Sequence, residues 1–72
     1  MEEARNRVLW LLQIYNLSQT WLINRLVKGG FPDATKYNMS DILRGVRGGE
    51  QAERVITASL SILEDYGKWA SK

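Results

Sequence analysis

Residues 16–30 read NLSQTWLINRLVKGG, and this stretch specifies a helix whose two ends are both set by local residues. Ser18 is a good N-cap, because its hydroxyl can accept a hydrogen bond from the backbone amide two or three residues later. Gly29 and Gly30 end the helix, since glycine adopts the left-handed conformation of a helix terminus without steric cost. The pattern predicts a short helix of about 11 residues, held at a defined angle to the segment that follows.

Apolar residues at helical spacing predict two longer helices at the ends of the chain. The first covers about residues 2–15, and the last covers about residues 50–69. The core face of the last helix is predicted to comprise Ala52, Ile56, Leu63 and Tyr66. No segment has a convincing strand pattern, a repeat or low complexity. The sequence therefore predicts an all-α fold, a compact bundle of four to five helices in a single domain spanning residues 1–72.

A third, short helix is predicted between these elements, in the stretch KYNMSDILR (residues 36–44). Thr35 is the expected N-cap, with Asp33 and Asn38 as rival caps, and Gly45 ends the helix. Pro32 restricts the preceding residue to extended conformations, so the segment before this helix is expected to be a turn.

Composition excludes several classes of function. The chain has 72 residues, is 44% hydrophobic, and contains no cysteine and no histidine. Disulfides and thiolate or imidazole zinc sites are therefore excluded, and we expect no metal and no cofactor. The acidic pairs at the helix ends have no supporting catalytic motif, so an enzyme is not expected. No apolar run reaches the roughly 18 residues that span a bilayer, and we expect a cytoplasmic protein that does not bind membranes.

The net charge of +2 is unevenly distributed along the chain. Residues 1–17 are balanced, residues 18–49 carry a net charge of +3, and residues 50–72 carry −1. A basic middle between less basic flanks suits an anionic polymer as partner. Scattered solubilising charge is the alternative interpretation.

Two stretches of the sequence resemble a known family. LSQTWLINRL (residues 17–26) resembles the Ser-Gln-x-x-Leu opening of the second helix in Cro and phage-repressor-type helix-turn-helix domains. MSDILRGVR (residues 39–47) resembles that family's Ile-Ser-x-x-x-x-Gly-x-Arg close of the recognition helix and following loop. The resemblance covers about residues 17–48. It implies a lambda-repressor-like fold with a helix-turn-helix at about residues 18–45, which binds double-stranded DNA as a transcriptional regulator, a repressor of the phage or prophage type.

The joint between the two helices departs from the family pattern. The stretch VKGGFPDAT (residues 27–35) is several residues longer than the usual three- or four-residue connection. The angle between the helices and the start of the recognition helix are therefore the least defined parts of the expected motif.

Carried over by position, the resemblance implies a set of DNA-contacting residues. Gln19 would touch a phosphate or a base edge, Asn38 has the chemistry to pair with adenine, and Arg47 would clamp a phosphate. Lys36 or Arg44 would reach guanine or phosphate. For each residue the alternative is solvated helix surface. The full predicted set is Gln19, Thr35, Lys36, Tyr37, Asn38, Ser40, Asp41, Arg44 and Arg47, with Asp41 either a discriminator or the partner of Arg44 or Lys36.

The three tryptophans also carry expectations. Trp10 is expected to pack against the last helix, and Trp21 to cover the loop around Phe31 or lie beside the DNA backbone. Trp69 continues a second apolar stripe on the last helix, which suggests a homodimer contact because helix-turn-helix operators usually have two half-sites. The predicted dimer residues are Val55, Ala58, Ile62 and Trp69, although Trp69 could instead fold back on its own core.

A different class of function is compatible with the same sequence. A small helical module could regulate a partner protein through its apolar C-terminal helix. The low net charge favours this alternative. Duplex affinity that falls steeply with salt would distinguish DNA binding from it.

Overall fold

The computed structural model describes residues 2–46 and 48–70. It contains four α helices and one short 3₁₀ helix, and no strand occurs in these two ranges. The helices are α1 (Glu2–Ile14), α2 (Gln19–Lys28), the 3₁₀ helix (Ala34–Lys36), α3 (Met39–Leu43) and α4 (Glu50–Ala70). The predicted all-α class is confirmed. None of these helices combines the length and the apolar character that a membrane crossing requires.

The ends of α2 follow the local signals in its sequence. The Ser18 hydroxyl accepts a hydrogen bond of 3.0 Å from the backbone amide of Trp21, as expected for an N-cap. At the other end Gly30 adopts a left-handed φ of 114°, and the Phe31 amide donates to the Leu26 carbonyl at 2.9 Å. This bond gives a second donor to a carbonyl of the last turn, which also accepts from the Gly29 amide at 3.1 Å. The predicted helix is confirmed at 10 residues.

A left-handed residue also forms the corner between α1 and α2. Asn16 has a φ of 57°, and the Leu17 amide donates across the corner to the Leu12 carbonyl at 2.9 Å. Asparagine tolerates this conformation better than most residues with a Cβ. The corner turns the chain so that α2 starts immediately after α1 and packs on the same core.

The third helix differs from its prediction at the N-terminal end. Thr35 does not cap it and instead lies inside the 3₁₀ helix, while Tyr37 is extended with a ψ of 142°. Asn38 is the cap: its Oδ1 accepts a hydrogen bond of 3.2 Å from the Asp41 amide. The extended Tyr37 before Asn38 interrupts helical geometry, and α3 has only five residues.

α4 is the scaffold on which the other helices pack, since it contacts α1, α2 and α3. It contributes Ala52, Val55, Ile56 and Leu63 to a single core. Val8, Leu11 and Leu12 of α1, Leu22 and Leu26 of α2, and Ala34, Met39, Ile42 and Leu43 complete that core. Ser59 of α4 is also fully buried, and its hydroxyl has no hydrogen-bond partner among the residues that the structure describes. Burial of an unpaired hydroxyl disfavours folding.

An aromatic cluster lies where the C-terminal half of α4 meets α1 and α2. The Tyr66 ring centroid is 5.1 Å from that of Tyr15 and 5.3 Å from that of Trp21. α4 approaches Tyr15 so closely that a Cβ at Gly67 would overlap the Tyr15 hydroxyl. Glycine at this position therefore permits the close contact between α1 and α4.

Candidate nucleic-acid interface

The segment of residues 34–44 has a buried side and an exposed side. Its apolar residues Ala34, Met39, Ile42 and Leu43 all belong to the core. The side chains left exposed are polar or charged: Thr35, Lys36, Asn38 and Arg44. This 34–44 segment packs against α2 through both the 3₁₀ helix and α3. The core thus fixes the segment from one side and leaves four groups with hydrogen-bonding capacity on the other.

Asn38 has a structural role in addition to its exposed position. Its Oδ1 caps α3, so one of its two polar atoms is already engaged. The Nδ2 group remains a donor, because an asparagine amide carries two hydrogens on that nitrogen. A bidentate contact with adenine needs both atoms, and so would require the cap to open.

Tyr37 does not lie on the exposed side, contrary to its prediction. It is half-buried and packs against the core, and Gln51 Nε2 of α4 donates a hydrogen bond to its hydroxyl. The aromatic ring finds more apolar contact against α4 than it would in solvent. Tyr37 therefore anchors the 34–44 segment to the scaffold helix.

The two cations of the 34–44 segment each have an acidic neighbour three residues earlier. Lys36 Nζ lies 3.9 Å from Asp33 Oδ1, and Arg44 Nη2 donates to Asp41 Oδ1 at 2.8 Å. Asp41 was expected to be either a discriminator or the partner of Arg44 or Lys36, and in the structure it pairs with Arg44. Arg44 Nε also donates to the backbone carbonyl of Ser40, at 3.4 Å. Ser40 itself is half-buried, so its side chain is less exposed than the predicted DNA contact requires.

Two other predicted contacts lie outside the 34–44 segment. Gln19 is the first residue of α2 and is exposed, as a contact to phosphate or a base edge requires. Arg47 lies outside the described residues. Its predicted phosphate contact stays a prediction.

Arg5 is a further cation near α3 that the sequence did not point to. A Cβ built on Gly45 would lie 2.7 Å from Arg5 Cζ, so the guanidinium of this α1 residue passes directly over the turn that ends α3. Arg44 is the residue before that turn. Only the packing of α1 against α3 reveals this proximity, since Arg5 and Gly45 are far apart in the sequence.

The predicted dimer stripe on α4 is wrong at Val55. Val55 is fully buried in the core of its own chain, because α4 is covered from three directions rather than along one stripe. Ala58 and Ile62 are half-buried, whereas Trp69 is 73% exposed. Three members of the stripe therefore remain accessible for a partner.

The other two tryptophans also differ from expectation. Trp10 does not pack into the core and is 53% exposed on α1. Trp21 lies against Tyr66 rather than over Phe31, and the Arg25 guanidinium carbon stands 5.2 Å from the centre of its ring. That distance is typical of a cation–π contact.

These side chains line a surface groove, which we call the α2–α4 groove. It has a volume of about 520 Å³. Its principal walls are Trp21, Arg25 and Lys28 from α2 and Ile62, Tyr66 and Trp69 from α4. The groove combines aromatic faces with a cationic rim, and it is separate from the 34–44 segment.

No protein-family model, curated protein sequence or solved structure matches this chain. The residues and their geometry are therefore the basis for any functional assignment.

Proposed function

We propose that the chain binds double-stranded DNA sequence-specifically and acts as a small transcriptional regulator of the Cro and phage-repressor type, most simply a repressor. In this proposal α2 and the 34–44 segment form a helix-turn-helix. α2 crosses the phosphate backbone and the 34–44 segment enters the major groove. The observation that carries the proposal is the exposed polar side of that segment, held in place by four core residues on its other side.

The residues divide into two kinds of contact. Lys36, Arg44 and Gln19 bind phosphates or base edges at the border of the major groove, and Arg5 adds a positive charge at Gly45, the residue after Arg44. Asn38 supplies an amide donor at the start of α3. Phosphate contacts position the protein, while base-edge contacts determine which sequence it prefers.

The ion pairs of the 34–44 segment are compatible with this role. Both cations are exposed, with side-chain exposures of 81% for Lys36 and 65% for Arg44, while Asp41 is 27% exposed. Exposed pairs of this kind contribute about 0–1 kcal/mol, so a DNA phosphate can replace the carboxylate at small cost. Asp33 and Asp41 repel phosphates that approach in any other register. The acidic neighbours thus limit non-specific affinity and favour one docking position.

The proposal is tested by measuring the affinity for duplex DNA over a range of salt concentrations. Arg44→Ala is expected to weaken binding at least tenfold and to reduce the slope of log affinity against log salt by about one. Arg54→Ala is the matched control, because Arg54 on α4 is 70% exposed and also pairs with a carboxylate, that of Glu50. Equal effects of the two substitutions would remove the assignment of the 34–44 segment.

A second variant separates capping from DNA contact at Asn38. Asn38→Asp keeps an oxygen that can cap α3, so the stability should change little. It also removes the amide donor and places a carboxylate at the DNA surface, so the duplex affinity should fall at least tenfold. Selection of bound sequences from a random duplex pool then identifies the preferred site. Recovery of no common sequence would contradict specific recognition.

The salt series also tests the protein-binding alternative. A module that acts on another protein through α4 would ignore duplex DNA even at low ionic strength. The DNA proposal requires the opposite result, since counterion release strengthens binding as salt is lowered.

A further inference from the structure

We infer that the α2–α4 groove is the contact surface between two copies of this chain, in which Trp69 of each copy enters the groove of the other. The inference rests on the proposed function only in that a dimer would bind two half-sites. The contact itself requires no DNA. It replaces the predicted stripe that included Val55, because Val55 is buried and the α2–α4 groove also takes Trp21, Arg25 and Lys28 from α2.

The first argument is the exposed aromatic surface at the groove. Trp69 is 73% exposed, and its ring centroid lies 6.2 Å from that of Tyr66, at the edge of the aromatic cluster rather than inside it. Ile62 continues this apolar surface along α4. An apolar patch next to a groove that can receive an indole is the arrangement expected at a protein–protein contact.

The second argument is the charge on the two walls. Arg25 and Lys28 stand on the α2 wall, and Asp65 stands on the α4 wall. None of the three forms an ion pair within the described parts of the chain, whereas Lys36, Arg44 and Arg54 all do. The groove therefore presents both signs of charge, and among the described residues its cations have only the Trp21 ring, which Arg25 faces, as a partner.

These charges identify the occupant as a second copy. In a two-fold contact the same surface meets itself, so Asp65 of each copy can face Arg25 and Lys28 of the other. A uniformly acidic partner would be repelled by Asp65, and a uniformly basic one by the α2 wall. The groove is thus complementary to its own surface rather than to one sign of charge.

The size of the surface indicates a weak dimer. A stable interface usually buries about 800 Å² and 20–30 residues on each side. The α2–α4 groove and its rim involve fewer residues, so we expect association in the micromolar range or weaker. Two half-sites on one operator would then bring the copies together at lower protein concentration.

Sedimentation equilibrium of the full chain without DNA measures this association directly. Trp69→Ala is expected to weaken dimerisation at least tenfold. Trp10→Ala is the matched control, because Trp10 is also more than half exposed but lies on α1 outside the groove, at 53%. The circular dichroism of every variant verifies that its helices are intact.

A charge exchange makes the test specific to the two-fold arrangement. Arg25→Asp and Asp65→Arg should each dimerise at least tenfold more weakly than the original chain, because each places like charges across the interface. An equimolar mixture of the two variants should associate again, since both contacts between positions 25 and 65 in the mixed dimer then join opposite charges. A chain that stays monomeric at high concentration, or a mixture that does not associate, would overturn the inference. Binding of the monomer to a single half-site tests the DNA proposal separately.

Discussion

α2 and α3 are the two helices of the proposed DNA-binding unit, and they are stabilised in different ways. α2 has 10 residues, a side-chain cap at its start and a glycine with positive φ after its end. α3 has five residues, of which three are buried. An isolated helix as short as α3 is not stable in water, so its conformation depends on the core. The comparison shows that the helix assigned to the major groove is positioned by tertiary packing, while its neighbour is specified locally.

The largest expected effect is the loss of a core anchor of α3. Leu43→Ala removes a fully buried side chain and should lower the free energy of unfolding by about 2–5 kcal/mol. A domain of this size often has only about 3–5 kcal/mol in total, so the variant should be largely unfolded. Urea denaturation followed by circular dichroism measures the change. Val46→Ala, at a residue that is 70% exposed, should have almost no effect.

The next largest effect on stability is expected in α4, the helix on which both α2 and α3 pack. Ser59→Ala removes a buried hydroxyl that lacks a hydrogen-bond partner and should raise the free energy of unfolding by about 1–2 kcal/mol. Ser61→Ala, at an exposed position of α4, should gain only the helix propensity of alanine, about 0.5 kcal/mol. Equal gains at the two positions would indicate that the Ser59 hydroxyl is hydrogen-bonded after all.

The N-cap of α2 tests whether this helix is specified by its own local residues. Ser18→Ala should lower the free energy of unfolding by about 1 kcal/mol, because the Trp21 amide loses its acceptor. Ser18→Asp should retain most of the stability, since aspartate caps as well as serine does. Thermal unfolding of both variants provides the measurement. A larger loss in Ser18→Asp than in Ser18→Ala would mean that Ser18 acts by something other than capping.

The smallest effect tests the link between the 34–44 segment and α4. Tyr37→Phe removes the hydroxyl that accepts from Gln51 and keeps the ring, so stability should fall by about 0.5–1 kcal/mol. Hydrogen exchange should show faster exchange in α3 than in α2, because the lost bond anchors only the segment that precedes α3. Uniform acceleration over both helices would contradict the separate anchoring of α3.

The sequence predicted elements with local signals better than those decided by packing. Ser18 and the glycines after Lys28 act on their immediate neighbours, and the structure has α2 where they place it. Three residues before α3 could each serve as its cap, and local chemistry does not choose between them. Packing of Tyr37 against the core and α4 makes that choice, and it selects Asn38 over Thr35.

The candidate sites also were predicted better where local signals decide them than where packing does. Gln19, Lys36 and Arg44 are exposed where the sequence expected them, because polar positions of short helices usually face solvent. The exposure of Val55 and of Trp10 was predicted wrongly, because helical spacing does not show how many neighbouring helices cover a helix. α4 buries more than one stripe, and α1 leaves Trp10 outside. Arg5 was missed because its proximity to Gly45 arises only when α1 packs on α3.

The three tryptophans allow self-association of this chain to be followed by intrinsic fluorescence. Trp10 and Trp69 are mostly exposed, and Trp21 is half-buried against Tyr66. If Trp69 leaves water on association, its fluorescence emission should shift to shorter wavelength as the protein concentration rises, while that of Trp10 stays constant. Replacing Trp10 with phenylalanine would leave only the two indoles that line the α2–α4 groove, Trp21 and Trp69, so self-association could be followed without attaching a dye.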